Sequence, residues 1–178
     1  MTAQSKTPNQ PPETVFKGTR FNLVQKGHWQ WIEHPGAVVI LPFLENDKIV
    51  MIRNFRVAIN QELWELPAGT LEKNEAPLHT AHRELEEETG YVAKIMDPLP
   101  HFYTSPGINN EIMFPFIARD LTATAQHLDE GEQIKIELLS WKEILQLIHS
   151  GAIRDAKTIA TCLYYNSFML NHKDFGVR

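Results

Sequence analysis

Two runs of apolar residues, Ala37–Leu44 and Ile49–Phe55, flank the polar triplet Glu45-Asn46-Asp47. Both are rich in Val, Ile and Leu, which suit a pleated half-buried surface, and the triplet supplies a turn, so the pattern predicts a β-hairpin. Weaker patterning marks strands at Phe16–Val24 and Trp29–Ile32, and a short one at Glu62–Leu66 ended by Pro67. The period then changes. Leu78, Ala81 and Leu85 recur at helical spacing and predict a helix over Glu75–Thr89. Asn74 stands where an N-cap belongs, Pro77 falls in the first turn, and Gly90 suits the C-terminal cap. Val92–Ile95, Phe102–Tyr103, Ile112–Ala118 and Ile134–Ser140 read as further strands, and Trp141–His149 and Asp155–Met169 as closing helices. Strands on both sides of a central helix, with helices at the end, imply an α/β fold in which a mixed sheet packs between helices.

The chain has 178 residues, enough for one domain over 14–178 behind a polar, proline-containing leader at 1–13 that is expected to be disordered. At 43% hydrophobic and 22% charged it can build a core. A net charge of -5 carries no electrostatic footprint for nucleic acid or an acidic membrane. Phosphates must then be met by local arginines or by metal ions. Cys162 is the single cysteine, which excludes an intrachain disulfide and fits a reducing compartment. The leader lacks the basic start and apolar stretch of a signal peptide, and the longest apolar run is broken by Pro42, so the expected location is the cytoplasm.

The helix carries an arrangement that is poor for stability. Residues 84–88 read Glu-Leu-Glu-Glu-Glu, and Glu84, Glu87 and Glu88 at i, i+3, i+4 share one face, while Glu86 points elsewhere. Like charges at about 6 Å and an effective dielectric near 20 cost roughly 2–3 kcal/mol per pair, and carboxylates late in a helix also meet its negative end. A solvated acidic face would screen that cost. A divalent cation would reverse it, because hard oxygen donors are what magnesium takes.

The surroundings decide between the two. The stretch from Gly69 to Tyr91 has glycine at 69, Glu75, Arg83-Glu84-Leu85, Glu87-Glu88 and Gly90, and this resembles the Nudix box. All seven fixed Gly, Glu and Arg positions match, which by chance is on the order of one in 10^8 to 10^9 per window. Only Tyr91 departs, at a packing position that is usually aliphatic. The resemblance implies a Nudix-type α/β/α sandwich with a mixed β-sheet. It implies Mg2+, with Mn2+ as a substitute, held by Glu84, Glu87 and Glu88 and by the backbone carbonyl of Ala68. It also implies that Arg83 pairs with an acidic neighbour, Glu75 being the candidate, and holds the helix against the loop.

Flanking segments narrow the resemblance. Trp64-Glu-Leu-Pro-Ala-Gly69 before the box and Ser105-Pro106-Gly107 after it look like the ADP-ribose pyrophosphatase subgroup, in which a proline falls about fifteen residues beyond the box, as Pro106 does here. Ser140-Trp141 and Gly151–Ile159 resemble its C-terminal helices, so the likeness runs over about 33–170. The implied reaction is hydrolysis of ADP-ribose to AMP and ribose 5-phosphate. The rivals are the same chemistry on another nucleoside diphosphate sugar (GDP-mannose, ADP-glucose) and a non-catalytic domain that senses ADP-ribose.

The resemblance places a general base on a loop outside the box, where Asp129-Glu130-Gly131-Glu132 stands. Glu130 matches the base of some relatives, Glu132 is the alternative, and Gly131 would let the loop act as a lid; the plain alternative is a solvated turn. Glu111 matches a position that helps bind metal or substrate, against an ordinary polar residue before a strand. Arg56 resembles an arginine that meets the substrate phosphate or terminal ribose, a task suited to a guanidinium, whereas Arg53 reads as a surface residue. Trp29 and Trp31 are candidates for stacking on adenine or for core and interface packing, and the subgroup's N-terminal strands often exchange across a homodimer. His79 and His82 have no third ligand at zinc spacing. Cys162, among apolar helix neighbours, reads as packing.

Overall fold

The computed structural model describes residues 11–128, 131 and 133–170. Eleven strands and three helices follow in chain order: β1 (Glu13–Lys17), β2 (Asn22–Lys26), β3 (Trp29–Glu33), β4 (Ala37–Pro42), β5 (Lys48–Arg56), β6 (Gln61–Glu65), β7 (Ala68–Thr70), α1 (Pro77–Thr89), β8 (Tyr91–Pro98), β9 (Phe102–Tyr103), β10 (Ile112–Ala123), β11 (Ile134–Ser140), α2 (Trp141–His149) and α3 (Ala156–Tyr164). A π-helical turn, Tyr165–Leu170, extends α3. Residues 1–10 of the expected leader lie outside the described residues, and Glu13 already belongs to β1.

The strands form three sheets, ordered β1-β2-β3, β7-β4-β10-β8 with β9 on β10, and β11-β5-β6. In the second, β4 and β10 run parallel from Ala37–Met113 to Pro42–Ala118 while β7 and β8 run antiparallel, so the sheet is mixed as expected. Every residue of β4 is buried. Val38 and Ile40 meet Ala81 and Leu85 of α1 together with Phe116 and Ala118. Ala37, Val39 and Leu41 face the other way, into Ile49 and Met51 of β5, Ile144 of α2 and Cys162 of α3. The sheet therefore lies between α1 on one side and the β5 sheet with α2 and α3 on the other. This is the α/β/α arrangement.

Several boundaries move. The hairpin expected from the two apolar runs does not form. A strand buried on both faces belongs mid-sheet, and both edges of β4 are taken by β7 and β10, so β5 pairs with β6 and β11 in a separate sheet. Besides side-chain packing, a Phe43–Ile49 bridge and the Leu44 N–H bond to the Lys48 carbonyl link the two runs. Phe16–Val24 is likewise not one strand but a turn between β1 and β2, closed by the Gly18 N–H on the Phe21 carbonyl. Asn74 is not the N-cap. It sits at φ 64 in the turn before the helix, Ala76 occupies the cap position without a side-chain bond, and Pro77 opens α1. Leu78 is 49% exposed and leaves the apolar stripe, whose place is filled by Thr80 and Thr89 beside Ala81 and Leu85. Gly90 does cap the helix, in the left-handed region, with its N–H on the Glu86 carbonyl. Cys162 is fully buried, and burial together with the charge of Asp155 pushes its thiol up to about 12, which keeps it protonated and suits packing.

Candidate functional site

The site grows from the junction of β6, β7 and α1. After β6, the Leu66 N–H donates to Thr158 Oγ1 at 2.9 Å and the Pro67 carbonyl accepts from the Ile40 N–H at 2.9 Å, which places β7 against β4 beside the helix. The Ala68 N–H then donates to Glu88 Oε2 at 2.8 Å. Gly69 lies so close to Glu84 that a Cβ built on it would stand 1.8 Å from the carboxyl carbon. Two carboxylates are thus cradled on adjacent backbone units of β7, and the glycine of the box leaves the space that the Glu84 carboxylate occupies.

Arg83 ties the rest together. Its Nε and Nη2 each donate to Glu75 at 3.0 Å, its Nη1 donates to Glu84 at 2.8 Å and Glu87 at 2.9 Å, and Nη2 also reaches the Thr70 carbonyl at 3.3 Å. The fork on Glu75 is the largest influence on both partners. It lowers the Glu75 carboxyl well below the usual range and raises the Arg83 guanidinium further above neutrality. Glu88 is 3% exposed, whereas the Glu87 side chain keeps 37% exposure. Three carboxylates on one guanidinium, with Glu88 beyond them on the same helix, leave surplus negative charge in a half-buried place.

A hard divalent cation fits that donor set and the Gly69 cradle. As the chain stands, Arg83 holds Glu84 and Glu87, and among the described residues no three His, Cys, Asp or Glu side chains converge on a common point. Glu84, Glu87, Glu88 and the Ala68–Gly69 backbone are the groups that would hold the ion.

The C-terminal end of α1 is closed by the segment after β10. Thr124 N–H donates to the Gly90 carbonyl at 2.6 Å, Gln126 Nε2 to the Glu88 carbonyl at 2.6 Å, and His127 N–H to the Glu87 carbonyl at 2.9 Å. These are the orphan carbonyls of a helix end. Sequence reasoning missed this clamp, because two of its three donors are backbone N–H groups and the third, the Gln126 side chain, lies 38 residues from its acceptor. Glu130 and Glu132, the candidate bases, lie outside the described residues.

The other candidates divide into two groups. Arg56, at the end of β5, donates from Nε (2.7 Å) and Nη2 (2.5 Å) to the buried Glu65, and Glu65 first and Glu88 more weakly favour its charged form. A second group collects around β3. Glu111 accepts from Thr104 Oγ1 at 2.5 Å and lies 3.7 Å from His34 Nδ1. The turn carrying the exposed Pro106 is stitched to β3 by the Ile32 N–H on the Ile108 carbonyl and the Asn110 N–H on the Ile32 carbonyl. Trp31 is half-buried on that strand, and Trp29 is 68% exposed with its ring 4.8 Å from His28. Arg53 does not stand free on the surface. It stacks over Trp64 at 4.5 Å and donates to Glu62 at 2.7 Å.

The NUDIX domain family matches residues 33–162. The chain belongs to that family. Its expected class, a Nudix hydrolase, stands with the match, and Nudix hydrolases generally depend on a divalent metal. The chain is 42% identical over 135 residues to an ADP-ribose pyrophosphatase of Bacillus subtilis (strain 168), covering 75% of this chain and 73% of the relative. It is equally similar, at 42% over the same shares, to a methanol dehydrogenase activator of Bacillus methanolicus. A GDP-mannose pyrophosphatase of Cronobacter sakazakii is 36% identical over 133 residues, 70% of this chain and 69% of its own. The crystal structure of an ADP compounds hydrolase superposes with a TM-score of 0.76 over 94% of this chain and 97% of that one; at 19% identity it speaks to the fold alone.

Proposed function

We propose that this Nudix hydrolase cleaves the pyrophosphate of ADP-ribose to AMP and ribose 5-phosphate with magnesium as its metal and manganese as a substitute. The observation that carries the reading is the pair of carboxylates, Glu84 and Glu88, seated on Gly69 and Ala68 with Glu87 beside them on Arg83. Bound there, the cation supplies charge neutralisation for the diphosphate and a more acidic water. The chain's own groups do the rest. Arg83 fixes the α1 carboxylates against the loop, and Arg56 meets a phosphate or the terminal ribose. Glu130 or Glu132 takes the proton of the attacking water. Support for that base comes from His127: its N–H is held on the Glu87 carbonyl, and Glu130 follows within three residues, about 10 Å of extended chain. Trp29 and Trp31 offer aromatic faces to the adenine, and Pro106 and Glu111 sit on the turn stitched to the same strand, which supports a role beside the substrate.

A second reading is favoured by the GDP-mannose pyrophosphatase relative, namely the same reaction on another nucleoside diphosphate sugar. A panel of such sugars with Mg2+, read as phosphate released after a phosphatase digests the products, separates the two. ADP-ribose is expected to give the highest kcat/KM, with Glu88→Gln removing most of it while the fold persists. A GDP- or UDP-sugar turned over tenfold better than ADP-ribose would move the assignment to that substrate. A homodimer is supported by the large apolar side chains that the N-terminal segment exposes, Val15, Phe16, Phe21 and Trp29, and a cytoplasmic location by the single buried thiol.

A further inference from the structure

Glu65 is a carboxylate with 1% of its side chain exposed, in the middle of the molecule. Burying such a charge is costly unless it is paired more than once. Arg56 grips it through Nε and Nη2, and Lys157 Nζ of α3 reaches it at 2.5 Å. Lys157 in turn lies 3.0 Å from Asp155, the N-cap of α3, whose other oxygen accepts from Thr158 Oγ1 and N–H. Two cations and two anions balance, so the cluster buries no net charge. Desolvation pulls the Glu65 carboxyl upward, but Arg56 and Lys157 outweigh it and hold it below the usual range.

The sheet sets up the geometry. Glu65 pairs with Ile52 in the β5–β6 ladder, and Arg56 is four residues along β5 from Ile52, so the two side chains share one face. The two-point grip fixes the plane of the guanidinium. It leaves Nη1 without a hydrogen bond among the described residues, on a side chain that is 41% exposed and lies within the electrostatic reach of Glu88. An arginine built only to neutralise Glu65 would be buried with it. This one is held from behind and open in front.

We propose that Glu65 is a positioning residue that aims Arg56 at the substrate's diphosphate, with Lys157 of α3 locking the carboxylate in place. The proposal rests on the reading of Arg56 as a phosphate contact. Nothing in it depends on which base or sugar the substrate carries.

A double-mutant cycle tests it on the full-length protein, with steady-state hydrolysis of ADP-ribose and calorimetric binding of AMP as two readouts. Glu65→Gln is expected to raise KM and the AMP dissociation constant about tenfold, the usual scale for removing or misaiming a charge-assisted hydrogen bond, with kcat changed far less. Arg56→Ala should do at least as much, and Arg56→Ala/Glu65→Gln should be no worse than Arg56→Ala alone. Lys157→Met should weaken binding, and Lys157→Arg should restore it. Additive effects in the double variant, or a Glu65→Gln protein with unchanged KM, would overturn the proposal, as would an Arg56→Ala protein that binds AMP normally. If Glu65→Gln does not fold, the Lys157→Met and Lys157→Arg pair in the two Arg56 backgrounds decides the same point. If the wild-type protein prefers another nucleoside diphosphate sugar, the cycle runs on that sugar, so the substrate assignment and the positioning role fail separately.

Discussion

At the scale of single residues, the box positions divide by what they touch. Gly69 is a glycine because the Glu84 carboxylate occupies the place of its Cβ. A methyl group there displaces the end of a flexible side chain rather than backbone, so Gly69→Ala is expected to keep its melting temperature within a few degrees while Mg2+ affinity and turnover fall. Isothermal titration with Mn2+ beside an activity assay checks both. Glu75 and Arg83 give a pH dependence. The Glu75 carboxyl is lowered from its ordinary 4.5, chiefly by the Arg83 fork, so the unfolded chain takes up its proton first as pH falls. The pair's contribution is full above that ordinary value and drains away below it. Melting curves from pH 7 to 3 should show the wild type losing its lead over Glu75→Gln below about pH 4.5. The spacing that singles out Glu84, Glu87, Glu88 and Arg83 is legible because chemistry and helical period coincide there. Glu65, Lys157 and Asp155 are not, because a buried pair 92 residues apart in sequence has no period to betray it.

Elements follow the same division for a different cause. Strand and helix type follows apolar composition, and β3, β9, β11 and α2 match their expected spans within a residue. Pairing does not follow. The runs at Ala37–Leu44 and Ile49–Phe55 look like neighbours locally, yet β4 is buried on both faces and takes partners from β7 and β10, a preference only the whole core can set. The start of α1 escapes the pattern because an Asn at a turn satisfies an N-cap signal as well as a left-handed bend, and the structure uses it for the second. Leu85 is the apolar anchor beneath the acidic face, packed with Val38, Ile40 and Phe116. Leu85→Ala is expected to cost about 2–5 kcal/mol in denaturant unfolding, the range for a fully buried leucine.

On the scale of the molecule, the helical layers are legible from the order of elements, and the Nudix assignment from the box alone. The three-sheet division is not, since it follows from which strand edges remain open once β4 and β10 have met. The same meeting joins the candidate metal strand β7 to β8 at the far edge of the sheet on which α1 packs.

The parallel pairing of β4 with β10 has a temporal consequence. It joins segments roughly 75 residues apart, and such distant contacts are slow to close. On a ribosome, the first half of the chain emerges with β4, β7 and α1 synthesised and β10 still to come, so the sheet that supports the carboxylate cradle is completed late. In refolding experiments Mg2+ is therefore expected to slow unfolding while leaving the rate of folding nearly unchanged, because the ion finds its ligands only after the rate-limiting step. Stopped-flow chevrons with and without the ion would show one limb shifted and the other superimposed.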